Sequence, residues 1–76
     1  MVEFTILKCI GVINEYSDGS AREVNIVSWN NNKPKLDIRE WSNDHKRMTK
    51  GITLTDEEAE TLYMILHNYI MERSGK

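Results

Sequence analysis

The stretch Asn30–Thr55, NNNKPKLDIREWSNDHKRMTKGITLT, decides how this chain folds. Within it, Lys35 to Trp41 alternates strictly: Leu36 and Ile38 project to one side, and Lys35, Asp37, Arg39 and Trp41 to the other. Period-two alternation is the pattern of a half-buried β-strand, because successive side chains leave opposite faces of the pleat. The apolar side is expected to face the core and the charged, aromatic side the solvent. Gly51-Ile52-Thr53-Leu54 predicts a further short strand with Ile52 and Leu54 on one face, reached through a polar connection from Ser42 to Lys50. Before the first of these strands, Asn30-Asn31-Asn32-Lys33-Pro34 supplies a turn: residues that tolerate positive φ and a proline that presets its own.

The flanking sequence completes an antiparallel pattern. Arg22 to Trp29 sets Val24 and Ile26 against Glu23 and Asn25 and predicts a strand over about 22–29. Glu3 to Ile13 is rich in β-branched and other apolar residues, and Tyr16-Ser17-Asp18-Gly19 closes it with turn chemistry, which predicts a strand over about 3–13. The remaining two strands lie over about 35–41 and 51–54. Downstream, Thr55 and Glu58 form a capping box, and Asp56 and Glu57 put negative charge at the positive end of a helix dipole. Ala59, Leu62, Tyr63, Leu66, Tyr69 and Ile70 recur at helical spacing, while Met64, Ile65 and Met71 widen the apolar surface of a helix over about 56–72. The fold class is therefore α+β, a four-stranded antiparallel sheet followed by one C-terminal helix, in a single domain over residues 1–76. A helix apolar over so much of its circumference needs two surfaces to pack on. One is its own sheet; the other is expected to be the same helix of a second subunit, with Leu62, Ile65, Leu66 and Tyr69 at the interface.

Size and composition restrict the alternatives. With 76 residues, 39% of them hydrophobic, the chain forms one small domain. A domain of this size buries only roughly 60% of its unfolded surface, which favours oligomerisation. The one cysteine, Cys9, allows no intramolecular disulfide and no thiolate zinc cage. No run of about 18 apolar residues occurs, and the start MVEFTILKCIG lacks the cationic region and cleavage site of a signal peptide. A reducing, cytoplasmic setting without a membrane anchor is expected. The formal charge of -2 is unevenly placed: residues 1–54 carry eight basic and seven acidic side chains, residues 55–76 two and five. The acidic helix is thus an unsuitable face for a polyanion.

The basic excess has a definite location. Between Lys33 and Lys50, six cations (Lys33, Lys35, Arg39, Lys46, Arg47 and Lys50) face three acids (Asp37, Glu40 and Asp44). Trp29 borders the stretch and Trp41 lies inside it. Indole faces beside cations supply what a single-stranded nucleic acid requires, stacking for bases and counter-charge for phosphates. Each residue also has a plainer reading. Arg39 can pair with Asp37 or with an acid across the sheet, Trp41 can be a partly buried lid on the core, and Lys46, Arg47 and Lys50 can belong to a solvated loop. His45 and His67 have no second histidine or cysteine at metal-ligand spacing, so no metal site is expected. The carboxylates of the helix start serve capping, Cys9 lies in an apolar strand, and no Gly-rich phosphate loop occurs. Neither catalysis nor a cofactor is expected.

At Pro34-Lys35-Leu36-Asp37-Ile38-Arg39-Glu40-Trp41 and at Lys50-Gly51-Ile52-Thr53-Leu54-Thr55, followed by an acidic helix start, the chain resembles the transcriptional positive cofactor four family, small coactivator-type proteins that bind single-stranded DNA. Ser28-Trp29-Asn30, Ser42 and Asp44-His45 extend the likeness to its bacterial YdbC-like branch. The resemblance implies a curved four-stranded sheet, dimerisation through the C-terminal helices, and channels for single strands. It places Arg39, Lys50 and Lys33 at or near the binding surface, and an aromatic residue of the preceding hairpin, here Trp29, against a base. Because the chain opens almost at its first strand, it does not imply the phosphorylation-controlled coactivation of relatives with a long preceding segment.

The expected function is non-catalytic, largely sequence-independent binding of single-stranded DNA by a homodimer, in transcription or genome maintenance. Lys33, Lys35, Arg39, Lys46, Arg47 and Lys50 hold phosphates, and Trp41 and Trp29 stack bases. Single-stranded RNA on the same surface is one alternative, since nothing there reads a 2′-hydroxyl. A protein-interaction module using the tryptophans and the apolar helix is the other. No small-molecule substrate is implied.

Overall fold

The structure is a computed structural model that describes residues 2–74, so the first residue and the last two of the expected domain lie outside the described residues. Four strands form one antiparallel sheet in the order β1 (Phe4–Glu15), β2 (Ala21–Trp29), β3 (Lys35–Trp41) and β4 (Ile52–Leu54), and α1 (Asp56–Ser74) follows. The α+β architecture expected from the sequence is the one observed.

The turns follow from local chemistry. Asn30 and Asn31 both take positive φ, 52° and 62°, and the amide of Asn32 donates to the carbonyl of Trp29 at 2.9 Å. This is the two-residue turn whose twist matches that of flanking strands. In the first hairpin, Gly19 adopts φ 90° and Asp18 accepts bonds from the amide and hydroxyl of Ser20. At the helix start, Thr55 Oγ1 accepts from the amide of Glu58 at 3.1 Å while Glu58 Oε1 accepts from the amide of Thr55 at 2.9 Å. The capping box is thus closed in both directions.

The sheet is strongly curved, and β1 contributes to this. It pairs with β2 through three register shifts, at Ile6/Lys8, Cys9/Gly11 and Val12/Asn14, so that its 12 residues run beside the 9 of β2. Each bulge inserts a residue, bends the strand and increases its twist. The depth of the curl is measured by Trp29 and Trp41. Continuing the β2–β3 register beyond Val27↔Lys35 sets Trp29 opposite position 33, eight residues or about 26 Å along β3 from Trp41. Their ring centroids are nevertheless 6.4 Å apart. Phe4 closes the cluster at 5.8 Å from Trp29 and 5.1 Å from Trp41.

The inner face of this curl is the one expected to face solvent. Ala21, Glu23, Asn25 and Val27 of β2 are buried, and across the register so are Asp37 and Trp41 of β3, while Leu36 and Ile38 are only half-buried. The alternation is present, but Asp37 and Trp41 lie deeper than Leu36 and Ile38, although Lys35 on their side is exposed and Leu54 on the other is buried. Period two establishes which residues share a face, whereas enclosure is decided by the curvature, and here Trp29 and Trp41 meet across it. Asp37 survives burial because Arg39 and Thr53 satisfy its oxygens.

The outer face carries Val24, Ile38 and Ile52 in one row and Ile26, Leu36 and Leu54 in the next. Of the other elements, α1 touches only β3 and β4, and none of its described residues is buried. The radius of gyration is 14.2 Å, against about 11 Å for a compact domain of this length, because the helix projects from the sheet. No described helix is long and apolar enough to cross a membrane.

Candidate nucleic-acid interface

Arg39 is the centre of the site, and its surroundings explain its geometry. Its Nε and Nη2 donate to the two carboxylate oxygens of Asp37 at 2.6 and 2.8 Å. The acid is fully buried and also accepts from Thr53 Oγ1 at 2.9 Å. Strand register produces this arrangement: Asp37 and Arg39 are two apart on one face of β3, and Thr53 is paired with Asp37 across β4. The guanidinium carbon lies 4.5 Å from the centre of the Trp29 ring. Arg39 is thus clamped edge-on by a carboxylate and rests over an indole, an arrangement in which a planar guanidinium excels.

A groove of about 420 Å³ opens beside this stack, lined by Val2, Trp29, Arg39, Met48, Thr49, Lys50 and Thr53. A second, of about 380 Å³, runs past Ser20, Trp41, Ser42 and Arg47 and shares Met48 and Thr49 with the first. Between them the chain is pinned. Thr49 donates its amide to Glu40, Met48 bridges to Trp41, and Ser42 and Arg47 close the intervening turn. His45, at φ 59°, brings its Nε2 within 3.0 Å of Glu23 Oε2 and its ring within 5.8 Å of Trp41. The segment expected to be a simple polar connection is therefore an ordered turn tied to the sheet.

Five of the six predicted cations are accessible. Lys33 lies in the turn after Trp29, Lys35 opens β3, Lys46 and Arg47 sit on the 42–47 turn, and Lys50 lines the first groove. All five are exposed, and among the described residues none forms an ion pair. Arg39 differs, with 14% of its side chain exposed and its charge engaged by Asp37. Trp29 is half-buried and lines the groove. Trp41 is 1% exposed, which corrects the expectation that it offers a face to a base. Its indole is covered by Phe4, Trp29 and His45, so it is a core residue that shapes the site from beneath.

Sequence reasoning passed over Thr53, Met48, Thr49 and Phe4. Thr53 was legible in principle, being the one polar position between Ile52 and Leu54. The others depend on the curl. On the helix, Ile65, Leu66 and Tyr69 are exposed and Leu62 is half-buried. No three His, Cys, Asp or Glu side chains among the described residues come together as metal ligands.

Residues 16–65 match the family described as Transcriptional Coactivator p15 (PC4). The match runs from the first turn to the middle of α1 and includes Trp29, Arg39, Trp41 and Lys50. An uncharacterized protein of Treponema pallidum (strain Nichols) is 36% identical over 62 residues, covering 82% of this chain and 73% of that protein.

Proposed function

The chain belongs to the Transcriptional Coactivator p15 (PC4) family, and from that membership we propose that it binds single-stranded DNA as a homodimer, largely without regard to base sequence. The observation that carries this reading is a groove walled by Trp29 and Arg39 with the exposed Lys50 in its lining, and Arg47 in the lining of the groove that adjoins it; these two cations, like Lys33, Lys35 and Lys46, are exposed and form no ion pair among the described residues. Free cations are available to phosphates, and a groove with flat walls admits unstacked bases of any identity. Few groups there could read a base edge. The role is non-catalytic and needs no cofactor, in transcription or genome maintenance. A cytoplasmic setting suits the free, exposed Cys9.

The dimer rests on unpartnered apolar surface. Tyr63, Ile65, Tyr69 and Met71 are each more than half exposed on α1, as are Leu7, Ile10, Ile13 and Ile52 on the sheet. Exposure on this scale marks an interaction surface in a small soluble domain. A second copy supplies a matching apolar helix, with Leu62, Ile65, Leu66 and Tyr69 of each protomer at the contact.

Tryptophan fluorescence titration tests the binding, using a single-stranded oligonucleotide, its duplex and the RNA equivalent at several salt concentrations. Preference for the single strand, with affinity falling as salt rises, is expected. Salt-independent binding, or none, would remove the proposal; tighter binding of RNA would redirect it.

A further inference from the structure

The five exposed cations and Arg39 are not equivalent, and the difference bears on how a base is held. Arg39 has five N–H donors in a fixed plane. Two are committed to Asp37, at 2.6 and 2.8 Å, and Nη1 approaches the Thr49 carbonyl at 3.4 Å. The carboxylate that binds it is fully buried and cannot move aside into water. Thr53 Oγ1 holds that carboxylate from the neighbouring strand. A phosphate arriving at Arg39 therefore meets a pair whose charges cancel, while Lys50 in the same groove has no ion pair among the described residues. What Arg39 retains is its plane. The guanidinium lies over the Trp29 ring, 4.5 Å from its centre, and lines the groove. Guanidinium planes, like aromatic rings, are surfaces on which unpaired bases stack.

We infer that Arg39 is a base-stacking platform backed by Trp29, and that Asp37 and Thr53 are positioning residues that hold its plane toward the groove. This rests on the single-stranded DNA reading and assigns a division of labour within it. Exposed lysines and Arg47 carry the phosphates, Arg39 carries a base, and the buried acid sets the platform's orientation at the expense of its free charge. A planar cation accepts every base, in keeping with sequence-tolerant binding.

The discriminating ligand is an oligothymidylate compared with an abasic oligonucleotide of the same phosphate count. Arg39→Lys keeps the charge and the capacity to pair with Asp37 but removes the plane. It should weaken oligothymidylate binding about tenfold, change abasic binding by less than about twofold, and leave the salt slope unaltered. Thr53→Val, which removes one hydroxyl while keeping the side chain's shape, should lower the melting temperature by a few degrees, because the buried carboxylate of Asp37 loses a donor, and should shift the same thymidylate-to-abasic ratio in the same direction when binding is measured well below melting. Asp37→Asn should do so too, with a steeper salt slope as the charge of Arg39 is released to phosphates. Equal losses on both ligands with a shallower slope in Arg39→Lys would show a phosphate clamp and overturn the platform, as would no loss on either. If the wild-type protein binds neither oligonucleotide, the single-stranded DNA reading falls together with the inference; normal wild-type binding with an indifferent Arg39→Lys sinks the inference alone.

Discussion

The indole rings of Trp29 and Trp41 stack 6.4 Å apart and within 12° of parallel, although they stand at opposite ends of neighbouring strands. That contact spans the curl of the sheet, and Phe4 joins it in one aromatic cluster; Asn25 and Asp37, paired between β2 and β3, are both fully buried. The site depends on that contact, because Arg39 rests on the same Trp29.

Trp41 is therefore expected to act on stability first. Trp41→Ala opens a cavity in the closed face and should lower unfolding free energy by about 3–5 kcal/mol in urea titrations. Trp41→Phe preserves much of the ring packing and removes an indole N–H that has no hydrogen-bond partner in the described chain, so it should cost far less. Equal stability of Trp41→Ala and the parent would refute the role of the aromatic cluster.

Removing Arg39 and removing Lys50 should have different signatures. Arg39→Ala leaves the buried carboxylate of Asp37 without its cation and should destabilise the fold by about 3–5 kcal/mol. Lys50→Ala removes an exposed charge that forms no ion pair among the described residues and should leave melting nearly unchanged. Its effect should appear in the plot of log affinity against log salt, made shallower by about 0.7 because one phosphate fewer is neutralised.

Gly51 is expected to tolerate no side chain. A Cβ there would lie 2.3 Å from the carbonyl oxygen of Ile38 and 2.4 Å from Arg39 Cβ. Gly51→Ala should force β4 away from β3, lower stability by about 1–3 kcal/mol, and loosen Thr53 from Asp37. An alanine variant with parental melting temperature and affinity would contradict the close approach.

Dimerisation through α1 predicts sensitivity at Ile65, which is 59% exposed in the single chain. Ile65→Asp would bury an unpaired charge in a two-fold interface and should yield monomer in sedimentation equilibrium. Wild-type protein that sediments as a monomer at micromolar concentration would remove the helix-mediated dimer.

Acid should weaken the turns at Asp18 and Asp44. Hydrogen bonds from the hydroxyls of Ser20 and Ser42, and then from the amides of Ser20 and Lys46, hold both carboxyls below the ordinary aspartate value. Each group binds a proton less readily in the folded chain than in the unfolded one. Its stabilisation is present above the unfolded value, near 3.8, and is lost as pH falls through the lower folded value. The urea midpoint should fall as pH is lowered from 5 to 2, and Ser20→Ala with Ser42→Ala should flatten that decline.

Local chemistry accounts for what was legible without the structure. Asn30 and Asn31 tolerate positive φ, Thr55 and Glu58 cap one another, and Leu36 alternates with Asp37, because each depends on residues within a few positions. The number, order and type of elements follow from such signals, as does the concentration of cations between Lys33 and Lys50. The three bulges of β1 left a trace too, in the three-residue spacing of Leu7, Ile10 and Ile13, which strict alternation passes over.

By itself, then, the sequence determined the α+β element order, the composition of each strand face and the family. Only the tertiary structure decided which face is inside. Alternation is symmetric between the two sides of a strand, and the choice came from β1 bulging and from Trp29 and Trp41 meeting across a diagonal that no local pattern encodes. Once that face closed, Asp37 was cut off from water, Arg39 had to supply the compensating charge, and Trp41 became core. Whether a cation is free to meet a phosphate depends on what lies within a few ångströms in space, and for Arg39 and Lys50 that differs although both belong to the same basic stretch of sequence.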